Sequence, residues 1–151
     1  MTLQNNRARI ELPSKRGTTK KERQRLNSIR GNIQSKFLHR IKRIVDSDNN
    51  GDKFIIARRQ KNIEFMREYG LITEDVKDII RALSVEDCFA GPEKDRDSKY
   101  EGWIFKFNPL YESTKLYIKI RIEHTDKSVC LSVHEFGKYD EVTNYKKSID
   151  N

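Results

Sequence analysis

The 151-residue sequence has only two cysteines, three prolines and one tryptophan, and it contains no long apolar run. Cys88 and Cys130 form no CxxC pair, so neither a disulfide framework nor a zinc site is signalled, and two buried free thiols are expected. The apolar runs are a few residues long, against the ~20 needed to cross a bilayer, and no apolar segment follows the basic N-terminus as a secretory signal requires. The expectation is therefore a cytoplasmic protein with no membrane partner. There is no phosphate-binding glycine loop, no GxSxG and no HExxH, which removes the usual support for nucleotide hydrolysis, serine esterase chemistry and zinc proteolysis. The stretch Asp46-Ser47-Asp48-Asn49-Asn50-Gly51-Asp52 is spaced somewhat like a calcium loop. Its twelfth position is Ala57, where such a loop needs a bidentate glutamate, so turn chemistry is the reading. No metal or other cofactor is expected.

Charge is what the sequence has in abundance. It holds 31 Lys+Arg against 23 Asp+Glu, a net +8. Residues 1–61 carry 17 basic and 5 acidic side chains, a net +12, whereas residues 62–151 carry 14 and 18, a net −4. Such asymmetry points to a nucleic acid or another polyanion as partner. At 35% hydrophobic residues the chain suits one compact domain, able to bury roughly 70% of its unfolded surface. The organisation expected is a flexible basic arm over residues 1–18, a single domain over 19–137 and a polar tail over 138–151.

The period of the apolar residues changes along the domain. Thr19-Lys20-Lys21-Glu22 reads as a capping box, and Leu26, Ile29, Ile33, Phe37, Ile41 and Ile44 follow at steps of three or four. A helix from about Lys20 to Val45 is predicted, bent or divided at Gly31, with Arg23, Arg30, Arg40 and Arg43 on its outer face. A short strand at Phe54-Ile55-Ile56 comes next, then a helix over Arg58–Tyr69 stopped by Gly70. A further helix, capped by Thr73, buries Val76, Ile79, Ile80 and Leu83. Gly91 to Asp97 reads as a charged loop. From Trp103 onward the period is two, which predicts strands at Trp103–Phe107, Leu116–Ile122 and Val129–Phe136 joined as an antiparallel meander. The fold class is α+β, with the N-terminal helices packed on one face of a small antiparallel sheet.

Burying Leu116, Ile118, Ile120 and Ile122 forces Tyr117, Lys119 and Arg121 to the other face. Strict alternation in the last strand sets Val129, Leu131 and Val133 on one side and Cys130, Ser132 and His134 on the other, and Lys106 is a candidate for the same wet face. Cations there can hold phosphates and a Tyr ring can stack on an unpaired base. His134 is the side chain on that face whose ordinary pKa, about 6.5, suits proton transfer near neutrality. The bland reading has the same composition: an antiparallel sheet with one solvated face carries Lys, Arg and Tyr there without binding anything. His39 on the basic helix and His124 in a turn read the same way.

The order of motifs carries a resemblance. Tyr69-Gly70-Leu71, Val76-Lys77-Asp78-Ile79-Ile80, Leu83-Ser84-Val85-Glu86-Asp87, Gly91-Pro92-Glu93-Lys94-Asp95-Arg96-Asp97, Trp103, Leu116-Tyr117-Ile118-Lys119 and Leu131-Ser132-Val133-His134-Glu135 together resemble the MqsR (motility quorum-sensing regulator) family of toxins, which are RelE-like in fold. The likeness spans about Phe37 to Phe136. It implies a toxin of a type II toxin–antitoxin system, a metal-independent mRNA interferase that cuts single-stranded mRNA and is neutralised by a cognate antitoxin in a hetero-oligomeric complex. The family's functional Tyr falls on Tyr117 and its late Lys on His134. Its other Lys falls near Ala90 and its Gln on Ile104, so Lys94, Arg96 or Lys106 would stand in. The expected catalytic set is Tyr117, His134 and Lys119, with Arg121, Lys106, Lys94, Arg96 and Ser132 binding RNA. The alternative is a non-catalytic nucleic-acid-binding module of a mobile element or regulatory system.

Overall fold

The computed structural model describes residues 19–97, 99 and 101–139. The arm expected over 1–18, and the tail beyond residue 139, lie outside them. Packing divides the chain into two compact units, residues 1–33 and 34–151. The described part of the first unit is the front of helix α1 (Lys20–Ser47). It starts as the sequence predicts: the Glu22 N–H donates to Thr19 Oγ1 and the Thr19 N–H to Glu22 Oε1, both at 3.0 Å. The helix continues through Gly31 without dividing. Of the front apolar positions, Leu26 and Ile33 are half-buried and Ile29 is exposed.

The second unit is α+β. From α1 it buries Phe37, Leu38, Ile41, Ile44 and Val45, so only the rear half of the predicted stripe is core. Then come β1 (Phe54–Ile56), α2 (Gln60–Tyr69), α3 (Thr73–Arg81), β2 (Cys88–Lys94), β3 (Trp103–Phe107), β4 (Leu110–Tyr111), β5 (Thr114–Ile122) and β6 (Ser128–Glu135). The strand order is β1-β6-β5-β3-β2, with β4 paired to the start of β5. Strands β3, β5 and β6 are antiparallel, as their alternation predicts. Phe37 of α1 stacks on Phe105 of β3 with centroids 3.7 Å apart, which fixes one face of the sheet as the helix side.

The structure departs from the sequence expectation in four further places. β1 runs parallel to β6, so the sheet is mixed rather than antiparallel. The charged segment expected as a loop is, up to Lys94, the edge strand β2. Pro92 has no donor, which an edge position tolerates. Gly91 sits at φ +120°, where an added Cβ would lie 2.8 Å from the Ile104 carbonyl oxygen; these residues obscure the strand period while permitting the strand. Thr73 is the first helical residue of α3 rather than its cap, and Asp75 accepts the Ile72 N–H at 2.8 Å instead. Finally, Lys119 pairs with Ser132 but Ile120 pairs with Cys130, so Leu131 is an extra residue. That bulge carries Cys130 to the helix side, opposite its predicted face.

Two buried polar side chains hold these connections. Asn62 of α2 accepts the Val133 N–H at 2.9 Å and donates to the carbonyls of Leu131 at 3.1 Å and Ala57 at 2.9 Å. Its amide thus continues the pairing along β6 past the end of β1. Asp48 accepts the N–H groups of Gly51, Lys53 and Phe54 and pairs with the buried Lys77 ammonium at 2.6 Å. Burial alone would raise the Asp48 carboxyl, but Lys77 and those amides hold it well below the usual carboxylate range. The turn that resembles a calcium loop is therefore organised around an internal ion pair.

Candidate functional site

The pleat of β5 places Lys115, Tyr117, Lys119 and Arg121 on the face away from Phe37. Cross-strand pairing then sets Tyr117 opposite His134, and Lys119 between Ser132 of β6 and Lys106 of β3. Opposed residues of adjacent strands have Cβ atoms ~5 Å apart. Five of the sequence-selected side chains therefore stand in two neighbouring rows, one of Tyr117 and His134, the other of Ser132, Lys119 and Lys106.

The face is not the open, wet surface expected. His134 is 1% exposed, Tyr117 7%, and Arg121 and Ser132 are also buried. The cause is aromatic cover at one end and charge pairing at the other. The imidazole lies against the Tyr117 ring, with centroids 5.3 Å apart and planes at 26°, and Tyr139 meets it edge-on at 4.9 Å. Phe89 and Phe136 flank Tyr117 at 6.1 and 6.2 Å. His134 Nδ1 is 2.9 Å from the Glu135 carbonyl oxygen. A carbonyl only accepts, so Nδ1 carries the proton in that bond, and Nε2 is then the basic nitrogen whenever the ring is neutral.

Arg121, expected to bind phosphate, makes ion pairs with Asp95 at 2.9 Å and Glu123 at 3.1 Å. Its role here is to hold the chain that follows β2. Burial pushes the Asp95 carboxyl up, but the Asp97 N–H and Arg121 outweigh it and hold the group below its usual range. Lys94 is not brought to the cluster: its ammonium sits 4.6 Å from the Trp103 ring centroid, and Trp103 pairs with Ile122 on the opposite face.

Lys119 is the electrostatic centre of the face. Burial first, then the positive charges of Lys106, Arg59 and Arg96, push its ammonium below the usual lysine range, with Asp95 pulling the other way. Lys106 is itself 3.2 Å from Glu93. Three cations acting on the half-buried Lys119 ammonium, with the carboxylates of Asp95 and Glu93 offsetting part of that charge, make a site in which an added phosphate relieves like-charge repulsion. No protein-family model matches this chain, and neither does any curated protein.

Three residues here escape the sequence analysis. Arg59 follows β1 and reaches the Lys119 environment only because β1 lies parallel to β6. Phe89 lies on the strand hidden by Gly91 and Pro92, and Phe136 sits just past β6. The sequence carries no signal for Phe89, whose neighbours are Cys88 and Ala90, and only the charged Glu135 beside Phe136 hints at an aromatic near the surface. The thiols offer no nucleophile at neutral pH: burial pushes Cys88, which is half-buried rather than buried, to about 11 and Cys130 to about 12. Among the described residues no group of three or more His, Cys, Asp or Glu is placed to hold a metal ion, and no helix is long and apolar enough to cross a membrane.

Proposed function

We propose that this chain is a metal-independent endoribonuclease of the toxin class, similar to the MqsR family and RelE-like in fold. It acts on single-stranded mRNA in the cytoplasm and is neutralised by a cognate antitoxin in a hetero-oligomeric complex. The observation that carries this reading is the half-buried Lys119 ammonium among Lys106, Arg59 and Arg96, one row from the stacked Tyr117 and His134. In the reaction, the ribose 2′-oxygen attacks phosphorus and the bond to the 5′-oxygen breaks, leaving a 2′,3′-cyclic phosphate. His134 Nε2 takes the 2′-hydroxyl proton, Tyr117 supplies a proton to the leaving oxygen, and the cations around Lys119 stabilise the added negative charge.

The test is cleavage of a defined RNA in the presence of a chelator. Wild-type protein should leave cyclic-phosphate ends, and His134→Ala and Tyr117→Phe should each slow cleavage by about 100-fold or more. Full activity in both variants, with the fold intact, rejects the assignment. One observation favours a second reading, a binding module that cuts nothing: His134 is almost fully covered. That module would retain RNA and leave it whole.

A further inference from the structure

Beyond the row of Tyr117 and His134, two large rings remain half in water. Phe89 and Phe136 are 43% and 42% exposed and touch each other, with centroids 5.7 Å apart and planes at 80°. Exposed apolar side chains scattered singly need no explanation, but two rings in contact above a third, Tyr117, form a patch. Three lysines stand close by. Lys115 Nζ lies 5.6 Å from the Phe136 ring centroid and has no carboxylate partner among the described residues. Lys61 lies 4.8 Å and Lys138 5.6 Å from the Tyr139 ring. Carboxylates stand there too, Glu64 and Glu68 of α2 and Glu135 at the end of β6: Lys138 is 3.6 Å from both Glu68 and Glu135, and the Tyr139 hydroxyl donates to Glu64 at 3.5 Å. Lys115, by contrast, shares its strand face with Lys119, ~13 Å further along at ~3.3 Å per residue.

We propose that Phe89 and Phe136 form a stacking platform for an unpaired base of a polynucleotide whose phosphates run along β5 from Lys115 to the Lys119 cluster. The proposal takes the polyanion from the ribonuclease reading and adds a device for selecting single strands. A base in a duplex already stacks on both faces and has none to offer these rings, whereas a single-stranded base does. An apolar protein surface laid on the same rings would strip water from the Lys115 ammonium and give it no acceptor. A polynucleotide supplies the phosphate as well as the ring.

The experiment uses the full chain and a single-stranded oligonucleotide carrying one 2-aminopurine, made once with 2′-deoxyribose and once with 2′-O-methyl ribose. Neither has the attacking hydroxyl, so binding is read without cleavage. Binding should quench the 2-aminopurine fluorescence. Phe89→Ala and Phe136→Ala should each weaken affinity by about 5- to 150-fold and lose the quenching, with affinity for a duplex of equal charge unchanged. Phe89→Trp should restore both. Circular dichroism establishes that each variant is folded, and Phe89→Leu, which keeps the apolar bulk without the ring, should behave like the alanine variant. Wild-type affinity in both folded alanine variants, equal binding of duplex and single strand, or no binding of either oligonucleotide by wild-type protein would overturn the proposal. Quenching without cleavage of the corresponding RNA would leave the platform standing and remove the nuclease. Cleavage with unaltered affinity in the alanine variants would do the reverse.

Discussion

Lys119 is where function and stability pull in opposite directions. Its folded-state pKa lies below that of an unfolded lysine, so folding disfavours the charged form. The penalty is fully present below the folded-state value and is relieved as pH rises from there toward the unfolded one. Replacing the ammonium by a thioether of similar reach removes the penalty together with the charge. Lys119→Met should therefore melt at the same temperature as wild-type protein or higher, while RNA cleavage falls by about 100- to 1000-fold. Thermal denaturation and single-turnover cleavage measure the two effects separately. A loss of both would make Lys119 a structural residue. At the same scale Arg121 is the cation most easily misread from sequence: alternation puts it on the right face, but its carboxylate partners Asp95 and Glu123 are distant or next-but-one in the chain, and only the fold pairs them.

Among the elements, β6 sets the site and depends on a helix for its geometry. β1 covers only its first residues, and the Asn62 amide of α2 takes over at Leu131 and Val133. Asn62→Leu fits a similar volume but leaves the Val133 N–H and the Leu131 and Ala57 carbonyls without this partner. At ~1–3 kcal/mol for each buried group left unsatisfied, and allowing for partial relaxation, the loss should be about 2–5 kcal/mol. Urea unfolding should show this as a lower midpoint with an unchanged slope. Because Leu131 is also the bulged residue, a local rearrangement here moves Ser132 and His134 relative to Tyr117 and Lys119. Cleavage should therefore fall under conditions where the variant is still folded.

For the molecule as a whole, the division of charge decides how strongly binding responds to salt. If the polyanion meets only three cations of the cluster, such as Lys119, Lys106 and one of Arg59 and Arg96, about three phosphates are neutralised. The logarithm of affinity for single-stranded RNA should then fall against the logarithm of salt concentration with a slope of about −2. Residues 1–61 carry a net +12, and a slope steeper than about −5 would bring the front of the chain into the contact. Titrations across a fourfold range of salt separate the two. Binding independent of salt would exclude the cluster as a phosphate site.

Local rules read directly from the residue order gave the capping box at Thr19 and Glu22, the Gly70 stop at φ +67°, the α+β class and the alternation of β3 and β5. They also gave the shared sheet face of Tyr117, Lys119 and Arg121 along β5. Each is fixed by neighbours a few positions away, so the chain specifies it before any distant contact forms. The tertiary structure alone decided the parallel seat of β1, the edge strand running through Gly91 and Pro92, and the bulge at Leu131. It also decided the closing of the imidazole under Tyr139 and the arrival of Arg59 beside Lys119. The physical reason is that burial and charge–charge interaction depend on through-space distance, and residues far apart in the chain come close only when the fold puts them there.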